Sequence, residues 1–476
     1  MGITSEYVDF CLSVKFKDLP GEVLEAVKRL GLDFVGTAAY GTISPSSKSM
    51  LKFIQDLNLK GECTVIGTRT KCPQQYAALA NGTFVKPNEL DDVENSASLH
   101  PGAPVWPVIL AMGEKYHLDG KSLITAVVLG YETIIRLGRA INPQEHYKHG
   151  FHPSSTCGTF AATVAASKLL KLNKSQMINA LGIAGSQTSG SFRYIVAGAW
   201  TKAFHSGWGA HNGILAALLA KQGFNGPTDM FEGRYGFLES YSHNTHPEFI
   251  LKDLGKGFLI SRAGIKIHGA CRQEHPVLDA VLAIVRKYDL KPDDIQRVDL
   301  HMMENAFIVV VEPEDSKRAP KNVGEAMHSV YFGVAMVILR RKAFIEEHTD
   351  RWIRSPQVHD LIKRIYCHRD PEMDKLLPDK FPARAIITTT DGRRLEQLIE
   401  TPHGDGLEPL PWDEMRGKYE PLARSIFSEK RTKQIDEAIM NLEGIKDFSK
   451  FAVFLAQEGG KKGDAQKDSA HRNRRK

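Results

Sequence analysis

Residues 21–41 read GEVLEAVKRLGLDFVGTAAYG, and their apolar side chains recur at the spacing of one helix face. Val23, Val27 and Leu30 belong to this repeat, and Pro20 precedes it, a position where helices commonly begin. The same texture continues in residues 107–116, 122–141, 158–172 and 211–223. These segments are longer than ordinary strands and rich in Ala and Gly, which let helix backbones approach closely. They predict a compact multi-helix core.

The sequence changes character from about residue 263. Residues 295–302 and 383–402 read IQRVDLHM and ARAIITTTDGRRLEQLIETP, which are typical of strands. The dipeptide Asp391-Gly392 is a strong hairpin signal within the second segment. Residues 275–288 and 358–366 between them have helical periodicity. A smaller α/β domain over residues 264–403 is therefore predicted.

Residues 412–427 and 433–444 return to helical periodicity, which predicts that the last helices rejoin the first domain. The predicted division is a helical domain over 1–263, an α/β domain over 264–403, the C-terminal part of the helical domain over 404–457, and a basic tail over 458–476. A chain of 476 residues is long enough for two domains.

The net charge of +6 is concentrated at the C-terminus. Residues 459–476 carry seven Lys or Arg and two Asp, which leaves the rest of the chain near neutrality. A tail without apolar residues buries too little surface to order itself, so we expect it to be disordered. The near-neutral body argues against nucleic acid as a partner. A non-enzymatic basic interaction protein that uses the tail is the alternative from a different class.

Six cysteines are scattered without a C-x-x-C pair, which predicts neither a zinc site nor a disulfide framework. The first residues, MGITSEYVDF, lack the features of a signal peptide. No apolar run approaches the roughly 20 residues that span a bilayer. We therefore expect a cytoplasmic protein with no membrane partner.

Several catalytic motifs are missing from the sequence: the phosphate-binding G-x-x-x-x-G-K-[ST], H-E-x-x-H, G-x-S-x-G, and a G-x-G-x-x-G after a strand. The cysteine spacing also supplies no obvious set of ligands for an iron–sulfur cluster. These observations predict no metal and no cofactor, and leave acid/base chemistry by side chains.

Four short stretches carry side chains suited to binding carboxylates and moving protons. They are residues 88–107, 148–160, 201–213 and 266–276, which read NELDDVENSASLHPGAPVWP, KHGFHPSSTCGTF, TKAFHSGWGAHNG and KIHGACRQEHP. The first two lie in connections that enter predicted helices, where binding residues concentrate. Fixed cations and histidines are the groups that chemistry on a polycarboxylate requires.

In this order and at these separations, DD…LHPG, GFHPSSTCGTF, TKAFHSG and K-x-x-x-x-CR-x-x-H resemble the MmgE/PrpD family, from about residue 5 to 450. That family includes 2-methylcitrate dehydratases, cis-aconitate decarboxylases and an iminodisuccinate epimerase. The resemblance implies a mainly α fold, with a large all-helical domain formed by both chain ends and a smaller α/β lid. It also implies a homodimer and no metal requirement.

The resemblance places His100, His152, Lys202 and Lys266 in the active-site cleft, with Asp91 or Asp92 nearby. We interpret the two histidines and the two aspartates as catalytic, and the lysines as ligands of substrate carboxylates. Arg272 is a further candidate, because its guanidinium could clamp a carboxylate.

The chain also departs from the family pattern. The aromatic-Pro that commonly follows the family's lysine is replaced by His268-Gly269, and the family's active-site tyrosine falls on Phe332, with Tyr331 adjacent. The segment around Asp91 is closer to the fungal decarboxylase pattern E-L-D-D…L-H than to the animal one. These changes bear on the identity of the substrate and of one proton donor.

Each candidate also has a purely structural interpretation. The aspartates could cap a helix, the histidines could be satisfied structural residues, and the lysines could be surface charges. Arg272 could form a salt bridge at the domain boundary. His205, His211 and His275 are interpreted as structural or supporting residues.

The sequence predicts a lyase that acts on a small polycarboxylic acid. Removing a proton next to a carboxylate, or expelling CO2, builds negative charge that lysine and histidine donors can stabilise. We favour dehydration of a citrate-type acid, such as 2-methylcitrate or an alkylcitrate, over cis-aconitate-type decarboxylation, because Phe332 and the residues after Lys266 depart from the decarboxylase pattern.

Overall fold

The structure, a computed structural model, describes residues 2–377 and 380–458. The mainly α class is confirmed. The helices of ten residues or more are α1 (Ile3–Ser13), α2 (Gly21–Gly41), α3 (Pro45–Asp56), α4 (Gln74–Phe84), α5 (Gly102–Lys115), α6 (Gly120–Ala140), α7 (Pro153–Leu169), α8 (Lys174–Gly185), α9 (Thr201–Lys221), α10 (His275–Lys287), α11 (Val330–Arg340), α12 (Trp412–Ala423) and α13 (Glu429–Met440).

Helix α2 buries the apolar face that its sequence predicts. Val23, Val27, Leu30 and Phe34 are all buried in the first hydrophobic core. The helix packs against α12, which comes from the other end of the chain. The first and last parts of the chain therefore share one core.

Small residues let α7 and α9 pack closely. Gly213 of α9 lies so near to α7 that a Cβ atom at this position would be 2.4 Å from the Cβ of Ala162. Helix α9 also packs against α4 and α5, and α7 packs against α5 and α6. The predicted multi-helix core is thus present, and its close packing brings the residues at the starts of α7 and α9 together.

A four-stranded sheet lies in the second part of the chain. Its strands are β3 (Ile295–Met302), β4 (Ile365–Arg369), β5 (Ala383–Thr389) and β6 (Arg394–Ile399), in the order β4-β3-β5-β6. β3 pairs with β4 in parallel, for example Leu300 with Cys367, and with β5 antiparallel, Leu300 with Ala385. β5 and β6 form the predicted hairpin, and Gly392 in its turn has a φ of +88°.

Two parts of the strand pattern differ from the prediction. Residues 358–366 were predicted as helical, but the helix covers only Pro356–Ile362, and Ile365 and Tyr366 begin β4. β-branched and aromatic side chains suit a strand, and pairing with β3 decides their conformation. A pair of two-residue strands, β1 (Cys63–Thr64) and β2 (Lys71–Cys72), was not predicted.

The described residues form two large hydrophobic cores. The first takes buried side chains from residues 7–265 and again from residues 410–455, and the second takes them from residues 270–395. In the first core, Gly67 donates its backbone N–H to the carbonyl of Leu455 at 2.8 Å.

The C-terminal end of the described chain is bound to the helical part. Glu458, which the predicted boundary places in the tail, accepts hydrogen bonds from the backbone N–H and the hydroxyl of Ser428 at 2.7 and 2.8 Å. The rest of the predicted tail, 459–476, lies outside the described residues. Within the described chain, no helix is long and apolar enough to cross a membrane.

Candidate active site

The connection between α4 and α5, residues 85–101, carries five of the acidic and basic side chains considered below. Two contacts fix its path. Val93 and Gly264 exchange backbone hydrogen bonds of 2.9 and 2.7 Å, which brings Lys266 to the connection. Lys418 of α12 donates to the carbonyl of Leu90 at 2.7 Å and pairs with Asp33 of α2. Both parts of the helical core therefore position this segment.

Asp92 holds the start of α5. Its two carboxylate oxygens each accept the backbone N–H of Gly102 at 3.0 Å, and one of them also accepts the Tyr131 hydroxyl at 2.6 Å. A Cβ atom on Gly102 would lie 2.5 Å from that hydroxyl, so the approach needs glycine. Burial raises the pKa of the Asp92 carboxyl to about 7. The Asp92 carboxyl group thus acts as a helix cap, the structural interpretation considered for this residue.

Asp91 faces the opposite environment. Its carboxylate lies 2.7 Å from Lys86 Nζ, 3.2 Å from His100 Nδ1 and 3.7 Å from Lys266 Nζ. Burial alone would raise the pKa of this carboxyl, but the Nδ1–H group of His100 and the ammonium groups of Lys86 and Lys266 outweigh it and lower the pKa to about 2. Asp91 is therefore ionised at neutral pH and lies among the predicted site residues.

Glu89 joins the two predicted substrate-binding lysines. Its carboxylate oxygens lie 2.5 Å from Lys202 Nζ and 3.4 Å from Lys266 Nζ. Burial favours the neutral acid, but Lys202, Lys266 and Lys86 outweigh it and hold the pKa of Glu89 well below its usual range. Glu89 has a left-handed backbone, with φ of +51°, which is uncommon for a residue other than glycine.

The buried ionic cluster thus contains three lysines and two carboxylates. Lys86 and Lys266 are almost fully buried, and only 17% of the Lys202 side chain is exposed. Burial lowers the pKa of Lys202, but the Glu89 carboxylate outweighs this effect and leaves the pKa above its ordinary value. Burial lowers the pKa of Lys86, and the Asp91 carboxylate opposes this effect. When all three lysines are protonated and both carboxylates are ionised, the cluster has a surplus of one positive charge. A site of this kind attracts a small anion.

His100 lies beside the cluster with a defined tautomer. Its Nδ1 is 2.8 Å from the backbone carbonyl of Asp92, which can only accept, so Nδ1 carries the hydrogen. Burial lowers the pKa of His100 well below its usual range, which keeps the ring neutral. Its Nε2 therefore carries a lone pair. The backbone N–H of His100 donates to the hydroxyl of Ser154 at 3.0 Å, which ties it to the start of α7.

His152 and His205 form a pair at the starts of α7 and α9. His152 precedes Pro153, a favoured first residue of a helix, and its backbone N–H donates to Gly190 at 2.9 Å. The two Nδ1 atoms are 3.1 Å apart, so one ring donates to the other. Burial lowers both pKa values, that of His205 to about 4, so the pair is neutral. Lys202 is one helical turn before His205 and shares its face of α9.

Arg272 lies with different partners. Its Nη2 is 2.7 Å from Asp405, and its Nε donates to the side chain of Asn95 at 3.1 Å. Asn95 also donates to Asp405 at 2.7 Å. This arrangement is the salt bridge at the domain boundary considered in the sequence analysis, and it ties three distant segments together.

Phe332, Tyr331 and His268, where the sequence departs from the family pattern, also have structural contacts. Phe332 is fully buried in the second core, with its ring centroid 5.4 Å from that of His348. The Tyr331 hydroxyl donates to Glu314 at 3.0 Å. His268 Nε2 lies 2.9 Å from the carboxylate of Asp279.

One more histidine, His328 in the second part of the chain, lies near enough to Lys202 and Glu89 for their charges to shift its pKa. The segment before His328 is held by a 2.8 Å hydrogen bond from the backbone N–H of Cys271 to Met327. His328 Nδ1 bonds the carbonyl of Gly324 at 3.0 Å, and its buried Nε2 has no hydrogen-bond partner among the described residues. Burial and the charge of Lys202 lower the pKa of His328 to about 4.

The structure thus brings together Asp91, His100, Lys202 and Lys266. His152 contacts His205, which shares α9 with Lys202, whereas Asp92 and Arg272 have structural partners. Sequence reasoning left out Lys86, Glu89 and His328 as site residues. The E-L-D-D pattern contains Glu89, but nothing local in the sequence marks Lys86 or His328. In the described part of the chain, no group of three or more His, Cys, Asp or Glu side chains is arranged to hold a metal ion.

Comparison with known families matches both parts of the chain. Residues 5–250 match the MmgE/PrpD N-terminal domain, and residues 268–444 match the MmgE/PrpD C-terminal domain. Three similar proteins cover nearly the whole chain. A cis-aconitate decarboxylase-like protein of Aspergillus oryzae is 28% identical over 96% of this chain and 98% of its own length. The cis-aconitate decarboxylase of Aspergillus terreus is 27% identical (95% and 96%), and the human one is 26% identical (95% and 94%).

Proposed function

The chain belongs to the MmgE/PrpD family, and from this premise we propose that it is a lyase that removes CO2 from a cis-aconitate-type tricarboxylic acid. The observation that carries the proposal is the buried cluster of Lys86, Lys202 and Lys266 beside neutral histidines. Relatives named as cis-aconitate decarboxylases, similar over nearly the whole chain, favour loss of CO2 over loss of water.

The proposed chemistry needs a cationic site and a proton. When one carboxylate leaves as CO2, the electron pair of the broken C–C bond moves through the double bond toward a remaining carboxylate. Lys202 and Lys266 stabilise this charge where it develops. A proton then adds to the carbon next to that carboxylate and completes the product.

The histidines supply that proton. In the free protein burial keeps His100 and His152 neutral. A bound polyanion offsets the desolvation that lowers their pKa values, so a histidine takes up a proton in the complex. His152 then protonates carbon, and its contact with His205 holds the ring in place.

Dehydration of a citrate-type acid is the second candidate, because of one feature of His100. The neutral ring has its hydrogen on Nδ1 and a lone pair on Nε2. A dehydration requires such a base to remove a C–H proton, whereas decarboxylation of cis-aconitate does not. The same cluster of lysines would bind either substrate.

A substrate panel tests the two reactions directly. The purified protein is incubated with cis-aconitate, citrate, 2-methylcitrate and alkylcitrates, and products are identified by mass spectrometry. Loss of CO2 from cis-aconitate or an alkylated relative is expected. Loss of water from a citrate would replace the first proposal by the second, and no turnover of any of these acids would contradict both.

Variants test the residue assignments. Lys202→Ala and Lys266→Ala should each lower kcat/KM by roughly ten- to a hundredfold or more, since a lost charge-assisted contact costs about 1.5–3 kcal/mol. His152→Gln and His100→Gln should lower kcat more than they change KM. The control is Lys174→Ala, which removes a surface ion pair of the same kind with Asp9. Folded site variants with wild-type turnover would contradict the assignment.

A chelator tests whether side chains alone carry the proton transfers. Protein treated with a strong chelator should keep its turnover, because the carboxylates of the cluster are paired with lysines and do not form a group of metal ligands. Loss of activity that iron or zinc restores would contradict this mechanism.

A further inference from the structure

Tyr194 lies against both histidines of the candidate active site. It begins a short helix, Tyr194–Ala197, that precedes α9. Its ring packs edge-on against His152 and His205, with centroids 5.5 and 5.6 Å apart, and against Phe192 at 5.2 Å. Only 6% of the residue is exposed. The ring therefore forms one wall of the histidine pair.

The Tyr194 hydroxyl differs from the other tyrosine hydroxyls of this region. Tyr131 donates to Asp92, Tyr147 donates to the carbonyl of Ser98 at 2.8 Å, and Tyr241 donates to the carbonyl of Thr188 at 2.9 Å. In residues 2–377 and 380–458, the hydroxyl of Tyr194 has no such partner. It is a donor that structural contacts leave available.

The ionic cluster acts on this hydroxyl. Burial raises the pKa of Tyr194 well above its ordinary value, and Tyr147, Glu89 and Asp91 add to this effect. These carboxylates are the ones that Lys202 and Lys266 bind. The hydroxyl is therefore protonated at any working pH and lies within the field of the groups that would surround a substrate.

We propose that Tyr194 is a further catalytic residue, whose hydroxyl donates a hydrogen bond to the substrate carboxylate on which negative charge develops. This inference rests on the proposed lyase function. A neutral donor beside the lysines strengthens its bond as the charge builds, and it transfers no proton. Its contribution therefore appears in the transition state more than in substrate binding.

The test is Tyr194→Phe, which removes the hydroxyl and keeps the ring against the histidines. Its kcat on the true substrate should fall by about a hundredfold, the usual effect of losing one such donor, with KM changed much less. The matched control is Tyr147→Phe. Its ring belongs to the same aromatic cluster, 4.7 Å from Phe192, but its hydroxyl bonds the backbone of Ser98. That variant should keep kcat close to the wild-type value.

Melting temperature and binding distinguish the outcomes. A packing role for Tyr194 would lower the melting temperature of Tyr194→Phe and leave kcat of the folded enzyme unchanged, which would overturn the inference. Equal kcat in Tyr194→Phe and wild type would also overturn it while the lyase function stands. If wild type turns over no polycarboxylate and calorimetry detects no binding of cis-aconitate, the proposed function fails and the inference fails with it.

Discussion

Asp91 and Asp92 are consecutive and both buried, yet the pKa of the first carboxyl is lowered to about 2 and that of the second is raised to about 7. The difference lies in their partners. Asp91 faces the ammonium groups of Lys86 and Lys266 together with His100, whereas Asp92 accepts from the neutral donors of Gly102 and Tyr131.

This comparison shows that burial alone does not determine the charge of a carboxyl group. Desolvation raises the pKa of both aspartates, and only the charged neighbours of Asp91 reverse the effect. One residue consequently belongs to the ionic cluster, and its neighbour fastens the helix that follows.

The largest expected difference between the two residues is in activity. Asp91→Asn should lower kcat by about a hundred- to ten-thousandfold, because it leaves Lys86 without its nearest carboxylate and removes the charge beside His100. Asp92→Asn keeps the shape of the cap and should stay within about tenfold of wild type. Steady-state kinetics on both variants checks this order, and a larger loss in Asp92→Asn would reverse the assignment.

A second test concerns the stability that the lysine provides. Lys86→Met leaves the Asp91 carboxylate buried without its closest cation, and breaking a buried pair of this kind typically costs about 3–5 kcal/mol. Urea unfolding followed by circular dichroism measures the change. Lys256→Met is the control, since it removes a 2.8 Å pair with Asp253 on the surface and should leave the unfolding free energy unchanged. An equal effect of both substitutions would contradict the importance of burial.

The third prediction uses the opposite pKa directions. Between about pH 4 and pH 7, folded Asp92 keeps a proton that an unfolded aspartate has lost, so its contribution to stability falls as the pH rises. Asp92→Asn removes this dependence. From pH 5 to pH 7, wild type should lose about 2–3 kcal/mol relative to the variant, at about 1.4 kcal/mol per pH unit for one proton. If the unfolding free energies of wild type and Asp92→Asn change in parallel with pH, Asp92 is ionised in the folded protein and the prediction is wrong.

The smallest expected effect is that of Tyr131→Phe. This substitution removes the 2.6 Å hydrogen bond to Asp92 and the acceptor for Trp106 Nε1 at 3.2 Å. Because these contacts are structural, stability should fall by about 1–2 kcal/mol while kcat stays within a few-fold of wild type. A loss of turnover comparable to that of Asp91→Asn would place Asp92 in the catalytic machinery after all.

Features carried by local patterns could be predicted from the sequence. The apolar spacing of residues 21–41 gives α2, and Asp391-Gly392 gives the hairpin between β5 and β6. The quoted motifs also identified His100, His152, Lys202 and Lys266 as candidates. The domain boundaries at 263/264 and 403/404 stay predictions.

Features that depend on distant partners could not be predicted. The sequence alone did not show that Asp91 and Asp92 have different partners. Lys266 lies near Asp91 because Val93 and Gly264, which are distant in the sequence, form a backbone bridge. The partners of Arg272, Asp405 and Asn95, are more than 130 residues away in the sequence, so its salt bridge could not be predicted from the local pattern. Strand β4 could not be predicted because its residues have a helical pattern, and its conformation depends on pairing with β3.

The sharing of one core by both chain ends constrains the order in which the protein can fold during synthesis. Residues 270–395 contain the whole of the second core, whereas the first core still lacks its contributions from residues 410–455 when residue 395 has been added. At about 5–20 residues per second, the ribosome needs roughly 3–12 s more to supply them. During that interval the face of α2 that α12 later covers is exposed, so we expect nascent chains to bind chaperones through the N-terminal part until the last helices are made.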